Sequence, residues 1–598
     1  MRLSRLKIVL AAAAIAVLHL ASLPRTIWEY DESLFALAVE SYRPLLHHPP
    51  PPGYPLYIAL AKLAALFTDP FRALIAISVV ATIAGFVFWV LAFRTIAGEN
   101  AAIIAALLLF SSPSVLISGV LPQSDAGALA LFAAAAWACS IQGAGRRGQA
   151  ELAALLCALC IGWRLQFSIA VVPMFLVALM LMKTWRDRLA ATTVFGVACL
   201  AWLVPLVAAT GGPESYWKWL SGQAAYYAAH DADLSRSGLS TSHIALRFVA
   251  HPWGPKWLSL PLLALAAGGA VYATLKRNAR ILPLAAGCLV YLTFAATTMD
   301  PADAVRYAIP SLPLLALLAG MMVTLPLERL TTQTNDASAI RSGWLTAGAA
   351  VAVALLYAAG SYRYASPVLR ARATSDSPPV AAANWIRANA SKDTVLLYDL
   401  PLGPHVQFLL RDWKAMRVDA GMAAYGDQPD VPLLLYADGE GERTFRWPDT
   451  DAYRKLTRRH YGAVSVTAIR RTQRYRAVEG VSAPERTRDG LAWRWLGARA
   501  ILELPDLGAN RVRLTFRAPP ECPIAENRVR VEIHGRTTFV TVQRNASSTL
   551  VLPLPPGPAR ITITPEQTFV PANVPGARNR DKRTLSVMLT GVEQSSVP

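Results

Sequence analysis

This 598-residue chain is poor in cysteine and, for its length, in charge. Five of its six cysteines (Cys139, Cys157, Cys160, Cys199 and Cys288) fall in apolar stretches and only Cys522 lies beyond residue 361, which excludes a disulfide framework for the C-terminal part. Cys157 and Cys160 have the spacing of a metal pair, but they sit in a Leu/Ala run without a partner His or Cys and read as small apolar packing. Charged residues make up only 16% against 54% hydrophobic, and the mean hydropathy is +0.35, which excludes an ordinary soluble protein of several domains. Residues 362–598 in turn lack any apolar run long enough to cross a bilayer as a helix. They also lack a Walker or dinucleotide-binding glycine pattern.

What is present is a polytopic α-helical membrane protein, with about 11 transmembrane helices in residues 1–361, followed by an external domain. The expected spans are 6–23, 70–93, 100–118, 121–141, 150–162, 166–183, 188–209, 257–275, 281–298, 306–325 and 342–361. With the N-terminus inside, the loops carrying Arg94, Arg146 and Arg147, Lys183 to Arg188, Lys276 to Arg280 and Arg329 to Arg341 are cytoplasmic. The odd number of spans then puts the C-terminal part outside. Tyr54 to Phe67 is apolar but too short to span, and is expected as a re-entrant or interfacial helix in an outer-face loop 24–69. A second outer loop covers 210–256. The first segment also has the basic start and Ala-rich run of a signal peptide, and either choice leaves Asp31 outside.

The external part has two textures. Residues 362–476 mix helix-like and strand-like runs: Pro378–Asn389 and His405–Trp413 as helices and Thr394–Asp399 as a strand, an α/β region. From 477 to 598 alternation dominates, at Arg511–Phe516, Arg528–Ile533, Thr538–Val542, Ser548–Leu554, Arg560–Thr564 and Thr584–Leu589, which predicts a jelly-roll-like β-sandwich. Residues 362–598 hold 34 Lys+Arg against 23 Asp+Glu, a basic balance suited to anionic headgroups or acidic glycans. Nucleic acid is a poor fit for a domain tethered outside a membrane.

The predicted topology brings Asp31, Glu32, His47, His48, Asp125, Arg164, Arg306 and Tyr307 to one membrane face, from five separate connections or helix ends. Adjacent carboxylates beside a bilayer cost solvation energy, and a cavity that combines them with arginines suits a substrate with a polar head and a lipid tail. Each residue also has a plainer role. Asp31 and Glu32 could begin a helix over Ser33–Tyr42, Asp125 could cap the next span, and Arg306 and Arg164 could be headgroup anchors. His47 and His48 precede four prolines on a stiff segment, and Asp231-Ala232-Asp233 has the spacing of some metal–sugar sites.

Asp31-Glu32 after the first span, the amphipathic Ser33–Tyr42, His48-Pro49-Pro50 and Tyr54-Pro55-Leu56-Tyr57 resemble the first external loop of membrane glycosyltransferases of the GT-C fold. The nearest groups are the bacterial relatives of protein O-mannosyltransferases and the aminoarabinose transferases that modify lipid A. Asp125 after the third span and Arg306-Tyr307 leading into Ile309-Pro310 are similar too, and the resemblance covers residues 1–360. It implies a polyprenyl-phosphate-linked sugar donor and a lipid, protein or glycan acceptor on the outer, periplasmic side of a bacterial inner membrane. It also implies Asp31 as the catalytic aspartate, with Glu32 in a supporting role in positioning or metal contact.

The residue types suit that chemistry. A carboxylate can take the proton of an acceptor hydroxyl, and Arg306, then Arg164 with Tyr307, can stabilise the departing phosphate. His47, His48, Tyr54 and Asp125 are candidate substrate-binding residues. Arginine alone can neutralise the leaving phosphate, and Glu32, His48 or Asp231 could instead recruit a divalent cation. The competing readings are a transporter or flippase of lipid-linked glycans and a surface glycan-binding scaffold. Ionisable groups at the outer face rather than at a midplane site, and no internal repeat, favour the transferase over the first; eleven spans where one would anchor count against the second.

Overall fold

The computed structural model describes residues 2–141, 148–232, 236–331, 337–426, 431–457, 462–469, 475–483, 485–486, 492–574 and 581–595. The chain forms two compact units. One comprises Met1–Ala381 with the segments Gln407–Leu409 and Phe445–Ala463, and the other comprises the remainder.

The first unit is helical, and each of the eleven expected spans contains helix. Among the described residues, five helices are long and apolar enough to cross a membrane: Pro70–Ala97, Trp185–Ala209, Lys256–Leu275, Ala279–Thr298 and Ile309–Pro326. Others are shorter, such as Glu99–Phe110, Asp125–Ser140 and Gln149–Trp163. The expected span 100–118 is broken at Ser111-Ser112, where Pro113 opens a new helix, Pro113–Ser118, and the Ser112 hydroxyl accepts from the Val115 amide. Proline is tolerated at a first helical position, where its missing N–H has no intrahelical partner anyway. The segment expected to be re-entrant is a ten-residue helix, Pro55–Ala64. Another helix, Tyr30–Glu40, starts three residues before the expected Ser33.

Helices in such an apolar body gain little from hydrophobic burial against lipid tails, so they associate through close packing of small residues. Pro70–Ala97 packs on Asp125–Ser140, Lys256–Leu275 on Leu312–Thr331, and Ser168–Leu181 on Leu282–Thr298. At two of these crossings a glycine lets backbones touch. A Cβ at Gly269 would lie 1.9 Å from the Leu318 carbonyl oxygen, and one at Gly287 would lie 2.4 Å from that of Ala170.

The expected boundary at residue 361 falls inside the long helix Ala337–Thr374. That helix buries Ala365, Val368, Leu369 and Arg372 along one stripe, the i, i+3, i+4, i+7 spacing of a packed helix face, and so belongs to the helical unit to its end.

Beyond Ala381 the chain carries two sheets, and Phe445, Arg446 and Ala463 of the smaller one fall in the segment grouped with the helical unit. The smaller has five strands, β1 Val395–Tyr398, β2 Ala415–Arg417, β3 Leu433–Asp438, β4 Arg443–Arg446 and β5 Ala463–Ala468, in the order β2-β1-β3-β5-β4. β1 is parallel to both β2 and β3, and β3 is antiparallel to β5. The expected helix Pro378–Asn389 is observed, and His405–Trp413 appears as the shorter Gly403–Leu409.

The larger sheet contains β6 Arg476–Val481, β7 Glu485–Arg486, β8 Ala492–Leu504, β9 Arg511–Ala518, β10 Glu526–Ile533, β11 Arg536–Gln543, β12 Ala546–Pro553, β13 Ala559–Pro565 and β14 Met588–Ser595. Its main path is β11-β10-β13-β8-β14-β9-β12, with β6 and β7 also on β8. Alternation in β9, β10 and β13 puts Val512, Leu514, Phe516, Val529, Val531, Ile561 and Ile563 in one core, as a face-to-face β arrangement requires. Five of the six expected strands coincide with β9 to β13. The sixth begins at Met588 rather than Thr584, because Leu585 makes only an isolated bridge to Phe569.

Gly269→Ala should destabilise the helical unit by about 1–3 kcal/mol, since the new methyl meets backbone rather than a mobile side chain. The expected outcome is a lower Tm of the purified full-length protein in a detergent thermal-shift measurement, whereas Gly348→Ala, inside the Ala337–Thr374 helix with open space around it, does not lower the Tm, because alanine favours a helix interior over glycine.

Candidate active site

Asp31 and Glu32 stand side by side in the first turn of the Tyr30–Glu40 helix, where carboxylates complement the positive end of the helix dipole. Being successive helical residues they face different ways, and each finds a different arginine.

Asp31 joins a chain of ion pairs. Its Oδ2 accepts from Arg306 Nη1 at 3.1 Å, and Arg306 Nε donates to Asp125 Oδ2 at 3.1 Å. Arg164 Nη1 lies 3.1 Å from the same Asp125 oxygen and donates to Ser124 Oγ at 2.8 Å. Arg164 Nε and Nη2 donate to Gln166 Oε1, and Gln166 Nε2 donates to the Tyr291 hydroxyl at 2.9 Å. The Arg164 guanidinium also sits over the Tyr54 ring, 5.9 Å from its centroid.

The sequence places every member of this chain at a helix end. Asp125 opens the Asp125–Ser140 helix, Arg164 follows the last residue of Gln149–Trp163, and Arg306 lies in the short Ala304–Tyr307 turn ahead of Leu312–Thr331. Exposure falls steeply along it: the Asp31 side chain is 30% exposed, Arg306 18%, Arg164 4% and Asp125 2%. Asp31 is therefore the member open to an incoming molecule.

Glu32 is fully buried and turns away from this chain. Its Oε2 accepts from the Trp28 amide at 2.7 Å, reaching back over the helix start as a capping residue does. Its Oε1 accepts from Arg372 Nη1 at 3.2 Å, while Arg372 Nη2 donates to Glu29. Arg372 lies against the Trp28 ring, 5.6 Å from the centroid, and Trp28 packs on Trp447 and Tyr453 with centroids 5.8 and 6.1 Å away. Burial pushes the Glu32 carboxyl up to about 7, against the downward pull of Arg372 and with Glu29 adding to the rise. Two carboxylates on one guanidinium balance only when one of them carries a proton.

Asp31, Glu29, Arg306 and Arg372 line one cleft with Ser114 and Gln123. Its space, open solvent at the mouth included, is about 510 Å³.

The structure thus brings together Asp31, Arg306, Asp125 and Arg164, with Tyr54 against Arg164. It does not bring the remaining candidates to that cleft. Arg164, expected to face phosphate, is buried with all three guanidinium nitrogens engaged, and Asp125, expected to touch substrate, is covered by two arginines. Tyr307 packs against the helical core. His48 Nε2 pairs with Gln407 Oε1 at 3.1 Å and His47 takes a left-handed backbone conformation, φ 60°. Burial lowers both imidazoles below 6.5. Both oxygens of Glu32 go to Arg372 and the Trp28 amide. Among the described residues no group of three or more His, Cys, Asp or Glu side chains is arranged to hold a metal ion, and the side chains of Asp231 and Asp233 lie outside the described residues.

Arg372 was not among the expected site residues. The signal that reveals it is the stripe Ala365, Val368, Leu369, Arg372, an arginine in phase with buried apolar residues.

With the site placed, similarity to solved structures becomes informative. The crystal structure of ArnT from Cupriavidus metallidurans bound to undecaprenyl phosphate matches with a TM-score of 0.50 and 16% identity, over 77% of this chain and 97% of that one. The helical body has the GT-C fold. The Archaeoglobus fulgidus oligosaccharyltransferase in its apo form matches with a TM-score of 0.48 and 10% identity, over 99% and 97% of the two chains. The mycobacterial arabinofuranosyltransferase AftD gives 0.43 and 13%, over 99% of this chain and 59% of its own. No family model matches the chain, and no curated protein matches it either. The GT-C fold together with the apolar helices makes this a multi-pass membrane protein.

Arg372→Ala should destabilise the protein by about 3–5 kcal/mol, because it strands buried Glu32 beside Glu29; adding Glu32→Gln should recover a large part of the lost Tm. Stability should also depend on pH. The Glu32 carboxyl is raised in the folded state from 4.5 to about 7, so the folded state binds more protons in that window and stability falls as pH rises through it. Thermal melts between pH 4.5 and 7.5 should show this fall, and Glu32→Gln should flatten it.

Proposed function

We propose that the chain is a membrane glycosyltransferase that moves a sugar from a polyprenyl-phosphate-linked donor to an acceptor hydroxyl. The reaction takes place on the outer face of a bacterial inner membrane, with the N-terminus cytoplasmic and the β-rich unit periplasmic. The observation that carries this reading is Asp31: a partly exposed carboxylate at the mouth of a cleft, in direct contact with a guanidinium. The GT-C fold supports it, and the similar ArnT structure holds undecaprenyl phosphate, a carrier of the proposed class.

In the proposed reaction the acceptor hydroxyl gives its proton to the Asp31 carboxylate as its oxygen attacks the anomeric carbon. The bond from that carbon to the phosphate oxygen breaks, and the lipid phosphate leaves with the electron pair. Arg306, preorganised by Asp125, stabilises the charge that grows on it. A single displacement inverts the anomeric configuration, so no second carboxylate is needed as a covalent nucleophile. Asp125, Arg164 and Tyr54 hold Arg306 in place, and Glu29, Glu32 and Arg372 hold the start of the helix that presents Asp31.

A transporter would gather its ionisable groups on interrupted helices near the bilayer midplane. Here Asp31, Asp125, Arg164 and Arg306 all stand at helix ends, which favours the transferase.

Asp31→Asn should lower sugar transfer by about 10²–10⁴-fold, the usual contribution of a general base, with donor binding retained. Arg306→Gln should cost about 10²–10³-fold and weaken donor binding as well. Radiolabelled sugar transfer by purified protein in liposomes made from the native lipid extract measures both, and normal transfer by Asp31→Asn would remove the aspartate from the chemistry.

A further inference from the structure

The two bonds that Arg306 makes in the cleft differ in how easily they can be exchanged. The Nε end is fixed: Asp125 is 2% exposed, its Oδ2 is shared with Arg164, and Arg164 is itself held by Ser124 and Gln166. Breaking that end would take from a buried carboxylate one of the two guanidiniums that balance it, in a place water does not reach, which is costly. The Nη1 end meets Asp31, a 30% exposed carboxylate at the cleft mouth, where water can replace the partner at little cost.

We propose that Arg306 is a shared counter-ion, which the phosphate of the donor takes from Asp31 while Asp125 keeps hold of the other edge. The proposal rests on the donor reading above and adds an order to it. In the empty cleft Asp31 is masked, because an arginine beside a carboxylate favours its ionised form and makes it a weak base. The donor's phosphate is a diester whose two non-bridging oxygens share one negative charge, and it can take a guanidinium edge in charge-assisted bonds as a carboxylate does. Once it draws the Nη edge away, Asp31 loses its positive partner and gains a negative neighbour, both of which raise its basicity. The base is competent only when the sugar donor is in place, so donor binds first and acceptor second. The same device explains why two carboxylates converge on one arginine: one anchors it and the other waits on it.

The test reads Asp31 directly in the purified full-length protein. Carbodiimide modification of Asp31, quantified by mass spectrometry at constant pH, should rise roughly three- to tenfold on adding undecaprenyl phosphate, as expected for a carboxyl that loses an opposite charge. Undecaprenol, which lacks the phosphate, should leave it unchanged. In Arg306→Gln the modification should be high without lipid and unresponsive to it. Bound undecaprenyl phosphate with unchanged or lower Asp31 modification in the wild type would overturn the exchange and leave the transferase reading standing. Failure to bind undecaprenyl phosphate at all would overturn both. If Arg306→Gln does not fold, the contrast between the two lipids in the wild type decides.

Discussion

A charge buried at the end of an apolar helix is tolerated only if it finds an opposite charge in good geometry, and Asp125 shows how far that condition reaches. Its Oδ2 sits between Arg164 and Arg306, each at 3.1 Å, so three segments that are far apart in sequence must end at the same point in space. The 124–125 corner, the 163–166 corner and the 304–307 turn are fixed against one another by that single oxygen. The close glycine contacts lower down the helices let the bundle meet the requirement without gaps.

Asp31 hangs from this frame, and its neighbour Glu32 is tied to a different one. The two acid–arginine groups have similar composition and opposite character. The Asp31 group is open, graded in exposure and linked through one edge of a guanidinium. The Glu32 group is closed: Arg372 is 1% exposed, covered by Trp28 and held by two carboxylates. One therefore meets the cleft while the other is closed around the helix start. A strained or mobile anchor next to a reacting carboxylate would spread its position, and preorganisation depends on avoiding that.

Much of this was legible in the sequence. Following the charge of each loop placed Asp31, Asp125, Arg164 and Arg306 together, because buried charges in an apolar chain are few and have to pair. Period-two alternation located β9 to β13 within a few residues. What was not legible depended on direction and on distance along the chain. Adjacent acids look alike in sequence, yet the 100° turn between successive helical residues sends Asp31 to Arg306 and Glu32 to Arg372. Arg372 was read as part of a basic external region, because its apolar stripe begins only after the hydropathy has dropped. Arg164 and Asp125 were recognised, but their burial depends on the packing of Trp163 and Tyr54 around them, which no local pattern reports.

The Ala337–Thr374 helix carries a further implication. By hydropathy it stops being membrane material well before it ends, yet its last turns supply the arginine that neutralises the first loop, and the segment 445–463 returns to the same helical unit with Trp447 and Tyr453. A cut of the chain at the hydropathy boundary near residue 361 would therefore remove the guanidinium that balances both Glu29 and Glu32.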